Sequence, residues 1–195
     1  MCLVGRFLTD KSINFNVMKH QMASIWHPGK GVCIKDISDQ RFLFQFFHSV
    51  DLKRDLEGGA WTYDNHVLFL HHLKPGEIPN QIPLFHVDYW VQVYDLPVGF
   101  MSFVEYDDNN NSGLWRNFMR IKVRLDVRNP LKRWKKIKKM GGEWLLVKFK
   151  YERLSHFCFI CGLLGHIDRF CDKLFSTNGE EVKKEWGQWL RAPDR

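Results

Sequence analysis

CFICGLLGHIDRFC, residues Cys158–Cys171, has the spacing C-x-x-C-x-x-x-x-H-x-x-x-x-C. Cys158, Cys161, His166 and Cys171 stand at its four ligand steps. Closed structural Zn²⁺ sites are tetrahedra of such thiolate and imidazole ligands. Two thiolates three residues apart grip one ion from a single tight turn, and the longer gaps bring the His and the last Cys to its other side. Gly162 and Gly165 lie where the backbone must fold back sharply. A chance cluster of buried thiols would also satisfy the composition, but not this spacing with glycines in place. The stretch predicts one bound Zn²⁺. A unit this short has no other core, so the metal's binding energy is effectively its folding energy.

Immediately before it lies the most unequal stretch of charge in the chain. The formal net charge is +7, yet Arg116–Lys139 alone holds 11 Lys/Arg against one acid, Asp126. The basic character is therefore local. Met119, Ile121, Val123, Leu125 and Val127 alternate with Arg120, Lys122, Arg124, Asp126 and Arg128, as in a strand with an apolar and a cationic face. Lys132–Lys139 (KRWKKIKK, with Lys132, Arg133, Trp134, Lys135 and Lys136) reads as an exposed connection, and Gly141–Gly142 turns the chain. Trp144–Leu154 returns as a strand with Lys148 and Lys150 outward. If the two strands pair, their cations pave one surface with few aromatics, suited to phosphates rather than bases. A charge run is often only a solvated face, but uncompensated repulsion destabilises a compact chain, and phosphate contacts relieve it. Trp134 adds a ring able to stack on a base, and KRWKKIKK also fits a nuclear-import signal.

The first third reads as alternating elements. Leu3–Leu8 is a strand; Asn14 caps a helix carrying Phe15, Met18, Met22, Ile25 and Trp26, which Pro28 and Gly29 stop. Val32–Ile37 and Arg41–Phe47 are strands, Val50–Glu57 a helix closed by Gly58 and Gly59, and His66–His72 a strand. The order βαββαβ is that of the ferredoxin-like fold, to which RNA-recognition motifs belong. Phe42, Phe44 and Phe46 share one sheet face, either as a base-stacking row or as core beneath the helices. The segment lacks the glycines of the RNA-recognition signature. His20, His27, His48, His66, His71 and His72 show no zinc-ligand spacing. Pro75–Pro83 reads as a stiff connection, Phe85–Leu96 as the first strand of a second unit, and Asp107–Ser112 as a polar loop.

The expected fold class is thus α+β: a ferredoxin-like, RRM-like unit over 1–74, a mainly antiparallel basic β unit over 84–155, a zinc knuckle over 156–173 and a tail over 174–195. At 195 residues, 45% hydrophobic and 15% aromatic, the chain can bury a core. Three of five cysteines belong to the knuckle; Cys2 and Cys33 suggest no disulfide framework. Thiolate ligands fit a reducing compartment, so an intracellular protein, with the nucleus favoured, is expected. Met1–Leu8 contains Arg6 and no cleavage pattern, and no apolar run approaches a membrane span.

The Cys158–Cys171 stretch resembles the CCHC zinc knuckle of retroviral nucleocapsid and related retroelement proteins. Phe159 and Ile167 occupy the positions where that family keeps an aromatic and an apolar residue. The resemblance implies that these two side chains form a platform for an unpaired base and that Arg169 meets a phosphate. Further segments extend the likeness: CLVGRFLTDK, FLFQFF, DLKRDLEGGAWTYDNH, WVQVYDLP and KYERLSHFCFICGLLGH. Together they look like the plant domain of unknown function that precedes a CCHC knuckle in LINE-type, non-LTR retrotransposon proteins. That resemblance implies a non-catalytic protein binding single-stranded RNA or DNA. The family usually has a helical stretch after the equivalent of Ser102, which this chain passes straight through. An uncovered second sheet and self-association are the expected consequences. The end soon after Trp186 and Trp189 reads as a truncated or degenerate copy.

An enzyme is not expected. There is no G-x-S-x-G elbow, P-loop, H-E-x-x-H or clustered carboxylates, and a four-ligand zinc leaves no open coordination site. No small-molecule substrate is implied. The alternative to nucleic-acid binding is a zinc-dependent protein-interaction module.

Overall fold

A computed structural model describes residues 1–96, 118–138, 141–176 and 182–193. The polar loop Asp107–Ser112 and the stretch after Ser102 lie outside the described residues. The chain forms two compact units: Met1–Val87 with Asp126–Arg128, and Asp88–Leu125 with Asn129–Arg195.

The first unit contains β1 (Cys2–Phe7), α1 (Phe15–Trp26), β2 (Val32–Ser38), β3 (Arg41–Phe46), α2 (Ser49–Glu57), β4 (Trp61–Tyr63) and β5 (His66–His72). Its sheet is antiparallel in the order β2-β3-β1-β5-β4. The α+β class holds, with one strand more than the expected βαββαβ. The extra strand β4 is only three residues long, and Asp64 and Asn65, both at positive φ (48° and 59°), turn it into β5. Such a pair is the signature of a tight hairpin turn. Asn14 caps α1 as expected, its side chain accepting from Val17 N at 3.2 Å. The helix ends at His27, whose N–H still bonds Ala23 O while its own backbone turns left-handed and leads the chain out of the helix.

The Phe42, Phe44 and Phe46 row is core: the three are 1%, 0% and 1% exposed. They pack with Met18, Met22 and Trp26 of α1 and Leu52 of α2, and the Trp26 ring meets Phe44 edge-on at 5.0 Å. No base can reach them, so the stacking reading of this row is set aside. The Pro75–Pro83 connection is tied to the same unit. Arg41 donates to Pro79 O and Ile82 O at 3.0 and 2.8 Å, and Glu77 pairs with His71 at 2.9 Å. Cys2 and Cys33 both oppose Gln45, on the strands either side of β3. Two inter-strand spacings, about 9.5 Å, keep their thiols beyond disulfide reach.

The second unit is built on β6 (His86–Tyr94), β7 (Phe118–Asp126), β8 (Trp134–Lys138) and β9 (Trp144–Tyr151), in the order β7-β6-β9-β8. One pairing left open is decided here and one expectation is corrected. The strands Phe118–Asp126 and Trp144–Tyr151 do not pair with each other, because β6 lies between them. KRWKKIKK is not a free connection: Trp134–Lys138 is edge strand β8, paired antiparallel to β9. Val93, Met119 and Val147 form the buried centre of one face, flanked by Ile121, Ile137 and Phe149. A short helix α3 (Lys173–Ser176) follows the knuckle. No helix among the described residues is long and apolar enough to cross a membrane.

Candidate metal centre and nucleic-acid face

The ligand turn begins as Phe157 bridges Leu164 and the Cys158 N–H reaches Leu163 O at 2.9 Å. Gly162 N closes the turn on Cys158 O. The N–H groups of Ile160 and Cys161 point at Cys158 Sγ, at 3.3 and 3.5 Å, where they favour a thiolate. His166 Nε2 stands 3.3 Å from Cys161 Sγ. Cys171 follows a short 3₁₀ turn, Asp168–Phe170, with its N–H bonded to Asp168 O. Asp168 pins the loop from outside, accepting from Phe159 N at 2.6 Å and pairing with Lys184 at 2.7 Å.

The donor atoms of Cys158, Cys161, His166 and Cys171 all lie within 4.8 Å of one another. A tetrahedron with Zn–S near 2.3 Å separates its sulfurs by about 3.8 Å, so a Zn²⁺ ion fits. Burial first, and then the neighbouring thiols, push the Cys158 thiol up to about 12 despite those N–H groups, and burial raises Cys161 as well. Bound Zn²⁺ reverses that preference, because its ligand is the thiolate. The ion here is a fold staple.

Other residues of the second unit hold the knuckle in place. Gly162 adopts φ +76°, and a Cβ there would lie 2.3 Å from the Trp186 ring. Only glycine lets Trp186 lie on the turn. The indole then donates to Leu131 O at 2.8 Å, and Leu131 N donates back to Gly162 O at 2.9 Å. Arg133 lies over the Trp186 ring at 4.7 Å and donates to Glu185 O. Further along, Leu190 is fully buried, Arg191 donates to Leu154 O and Ser155 O, and Ala192 N bonds Tyr151 O. The tail is thus a clasp across the sheet and knuckle, a role no local spacing signalled.

Of the residues expected at the base platform, Phe159 and Ile167 are half-buried, and the Phe159 ring leans on Phe157 at 5.0 Å. Arg169 is exposed, its guanidinium 4.8 Å from the ring of exposed Phe170. The cationic sheet residues divide into two groups. Arg120 makes a two-pronged ion pair with Glu152 (3.0 and 2.9 Å) and lies 3.7 Å over Trp90; the two side chains are 11% and 14% exposed. Arg124 grips Asp88 at 2.8 and 3.1 Å, and Arg128 grips Asp126 while lying over Phe85. Lys148 pairs with Asp95, Lys122 sits 5.8 Å from the Trp90 centroid and Lys150 4.9 Å from Tyr94. Lys132, Lys135, Lys136 and Lys138 are exposed. Among the described residues no acidic side chain pairs with those four.

The face also carries more rings than the sequence led us to expect. Trp134 stands opposite Lys148 and Trp144 opposite Lys138. Trp90 and Tyr94 lie beneath cations on the same face.

Residues 1–81 match a domain of unknown function, DUF4283, and residues 125–173 match a zinc-knuckle family. The second match begins at Leu125, so it takes in β8 and β9 as well as the metal ligands. No curated protein and no solved structure matches the chain. The chain therefore joins a domain of unknown function to a CCHC zinc knuckle, whose Cys158, Cys161, His166 and Cys171 form a Zn²⁺ site of the kind that suggests zinc-dependent nucleic-acid binding.

Proposed function

We propose that this protein is a non-catalytic, zinc-dependent nucleic-acid-binding protein of plant, LINE-type retrotransposon origin. The second unit holds the phosphate backbone of single-stranded RNA or DNA on its basic sheet and offers the knuckle residues Phe159 and Ile167 to an unpaired base. One observation carries this reading: the Cys/His cluster is fused to a sheet whose edge strand bears lysines with no acidic partner among the described residues. The order of a DUF4283 domain followed by a CCHC knuckle supports the retrotransposon origin. The metal organises and does not react, since four protein ligands fill its coordination shell. The exposed lysines Lys132, Lys135, Lys136 and Lys138 support residence in the nucleus.

Titration of the zinc-loaded protein with single-stranded RNA and duplex DNA at two salt concentrations tests the proposal. Phosphate binding weakens steeply with salt through counterion release. Salt-insensitive or absent binding would reject it and favour a protein-docking module.

A further inference from the structure

The outer face of the β8–β9 hairpin has a pattern that phosphate binding alone does not call for. Directly opposed residues of an antiparallel pair share a face, and the register opposes Trp134 to Lys148, Lys136 to Leu146 and Lys138 to Trp144. Each cross-strand pair therefore joins one lysine to one ring or apolar side chain, and the lysine changes strand after the first pair. Trp134, Trp144 and Leu146 are 47%, 65% and 43% exposed. None belongs to the buried clusters, which this hairpin contacts from its other side through Val147, Ile137 and Phe149.

Two ordinary explanations fall short. Lysines on an edge strand do discourage edge-to-edge aggregation, but that purpose is defeated by adding two exposed tryptophans. Rings can also shield neighbouring hydrogen bonds, yet Trp144 begins β9 at the last pair of the ladder, beside the 139–143 connection, with no further pair beyond it to cover. Exposed apolar patches, unlike single exposed side chains, mark interaction surfaces, and Trp134, Trp144 and Leu146 share one face of this hairpin. Alternation with cations selects the partner: an apolar protein patch matches the rings but not Lys136 and Lys138, whereas a nucleic-acid strand matches both.

We infer that the β8–β9 hairpin is a second base-stacking site, in which Trp134 and Trp144 each stack an unpaired base while Lys136 and Lys138 hold the intervening phosphates. This inference rests on the proposed nucleic-acid binding and specifies its ligand as a single strand. Along β8, Trp134 and the partner of Trp144 are four residues apart, about 13 Å at strand rise. The rings therefore take different bases and do not sandwich one. Every base has a π-face, so the site is tolerant of sequence. Bases paired and stacked inside a duplex are not available to it.

The test uses the full, zinc-loaded chain, an oligouridine strand and an RNA hairpin of equal length as probes, and salt-dependent affinity as the readout. Trp144→Ala is expected to weaken oligouridine binding roughly 5- to 150-fold, at unchanged salt slope. Hairpin binding should stay within about twofold, because duplex bases cannot reach the ring. Trp144→Phe should restore most of the loss, and Trp134→Ala should behave like Trp144→Ala. Circular dichroism and zinc content identify any variant that misfolds, and the Phe replacements then carry the comparison. Equal losses for oligouridine and hairpin would overturn the inference, as would no loss in Trp144→Ala and Trp134→Ala. In those cases a salt-dependent wild type leaves the general proposal standing, with Phe159 as its base contact. A wild type that binds neither probe overturns both.

Discussion

β7 and β8 lie at opposite edges of one four-stranded sheet, and both are dense in Lys and Arg. Their cations nevertheless differ in kind. On β7 and just past it, Arg120, Arg124 and Arg128 are held by Glu152, Asp88 and Asp126. Planar guanidinium forks suit such two-pronged pairing. On β8 the cations are lysines, exposed and without acidic partners among the described residues. A phosphate approaching Arg120, Arg124 or Arg128 must displace a carboxylate, whereas one approaching the β8 lysines displaces only counterions and water. Two strands with three Lys/Arg each thus differ in the availability of those cations in the fold.

The largest expected effect comes from the metal, which supports the β8 side. Leu131, three residues before β8, bonds the knuckle at Gly162 and receives Trp186. Structural Zn²⁺ binds such modules with about 10–16 kcal/mol. Chelation, or Cys171→Ser, should therefore unlock the clasp and abolish hydrogen-exchange protection at Leu131 and Trp186. The β1, β3 and β5 amides should keep theirs, since their core of Phe7, Phe44 and Met22 is separate. Unchanged protection at Trp186 without zinc would show that the clasp does not depend on the metal.

Next in size is the contrast between the strands. Glu152→Ala leaves Arg120 nearly buried without its main partner, and breaking a buried pair costs about 3–5 kcal/mol. The remaining exposure and Trp90 stacking put the expectation at the lower end of that range, about 3 kcal/mol in denaturant unfolding. Lys136→Ala, on the exposed edge, should change stability by no more than about 0.5 kcal/mol. It should instead reduce the salt slope of binding by roughly 1. If Glu152→Ala proves neutral for stability while Lys136→Ala proves neutral for binding, the distinction between the strands is wrong.

Much of this was legible in the sequence, for reasons that also mark its limits. The zinc ligands are local, so spacing and two glycines sufficed. Helix α1 announced itself through Asn14 and the Met18, Met22, Trp26 periodicity. β4 escaped because three residues hold no measurable alternation, although Asp64-Asn65 advertised its turn. The strand order of the second sheet was missed because alternation gives a strand's two faces but not its neighbours. The arginine partners were missed for a related reason. Glu152 lies 32 residues from Arg120 and Asp88 lies 36 from Arg124, separations at which composition says nothing about contact. Trp186 on Gly162 is the same kind of long-range event.

The smallest effect tests whether a β7-side cation can be turned into a β8-like one. Arg128 hydrogen-bonds Asp126 through its guanidinium and its backbone N–H, and these bonds hold the Asp126 carboxyl down at about 2. A depressed folded-state value means that the pair's contribution is fully present above the unfolded carboxyl value of about 3.9, and is lost only as pH falls through about 2. Between pH 5 and 8 the pair is therefore constant, and Arg128 stays with its acid. Asp126→Asn removes that competitor at neutral pH without shortening the side chain. The salt slope for single-stranded binding should then rise by roughly 1 as Arg128 gains a phosphate, with affinity increasing several-fold at low salt. The effect is modest because the pair is solvent-exposed and screened. An unchanged slope in Asp126→Asn would mean that Arg128 is directed away from the bound strand, and that the carboxylate is not what withholds it.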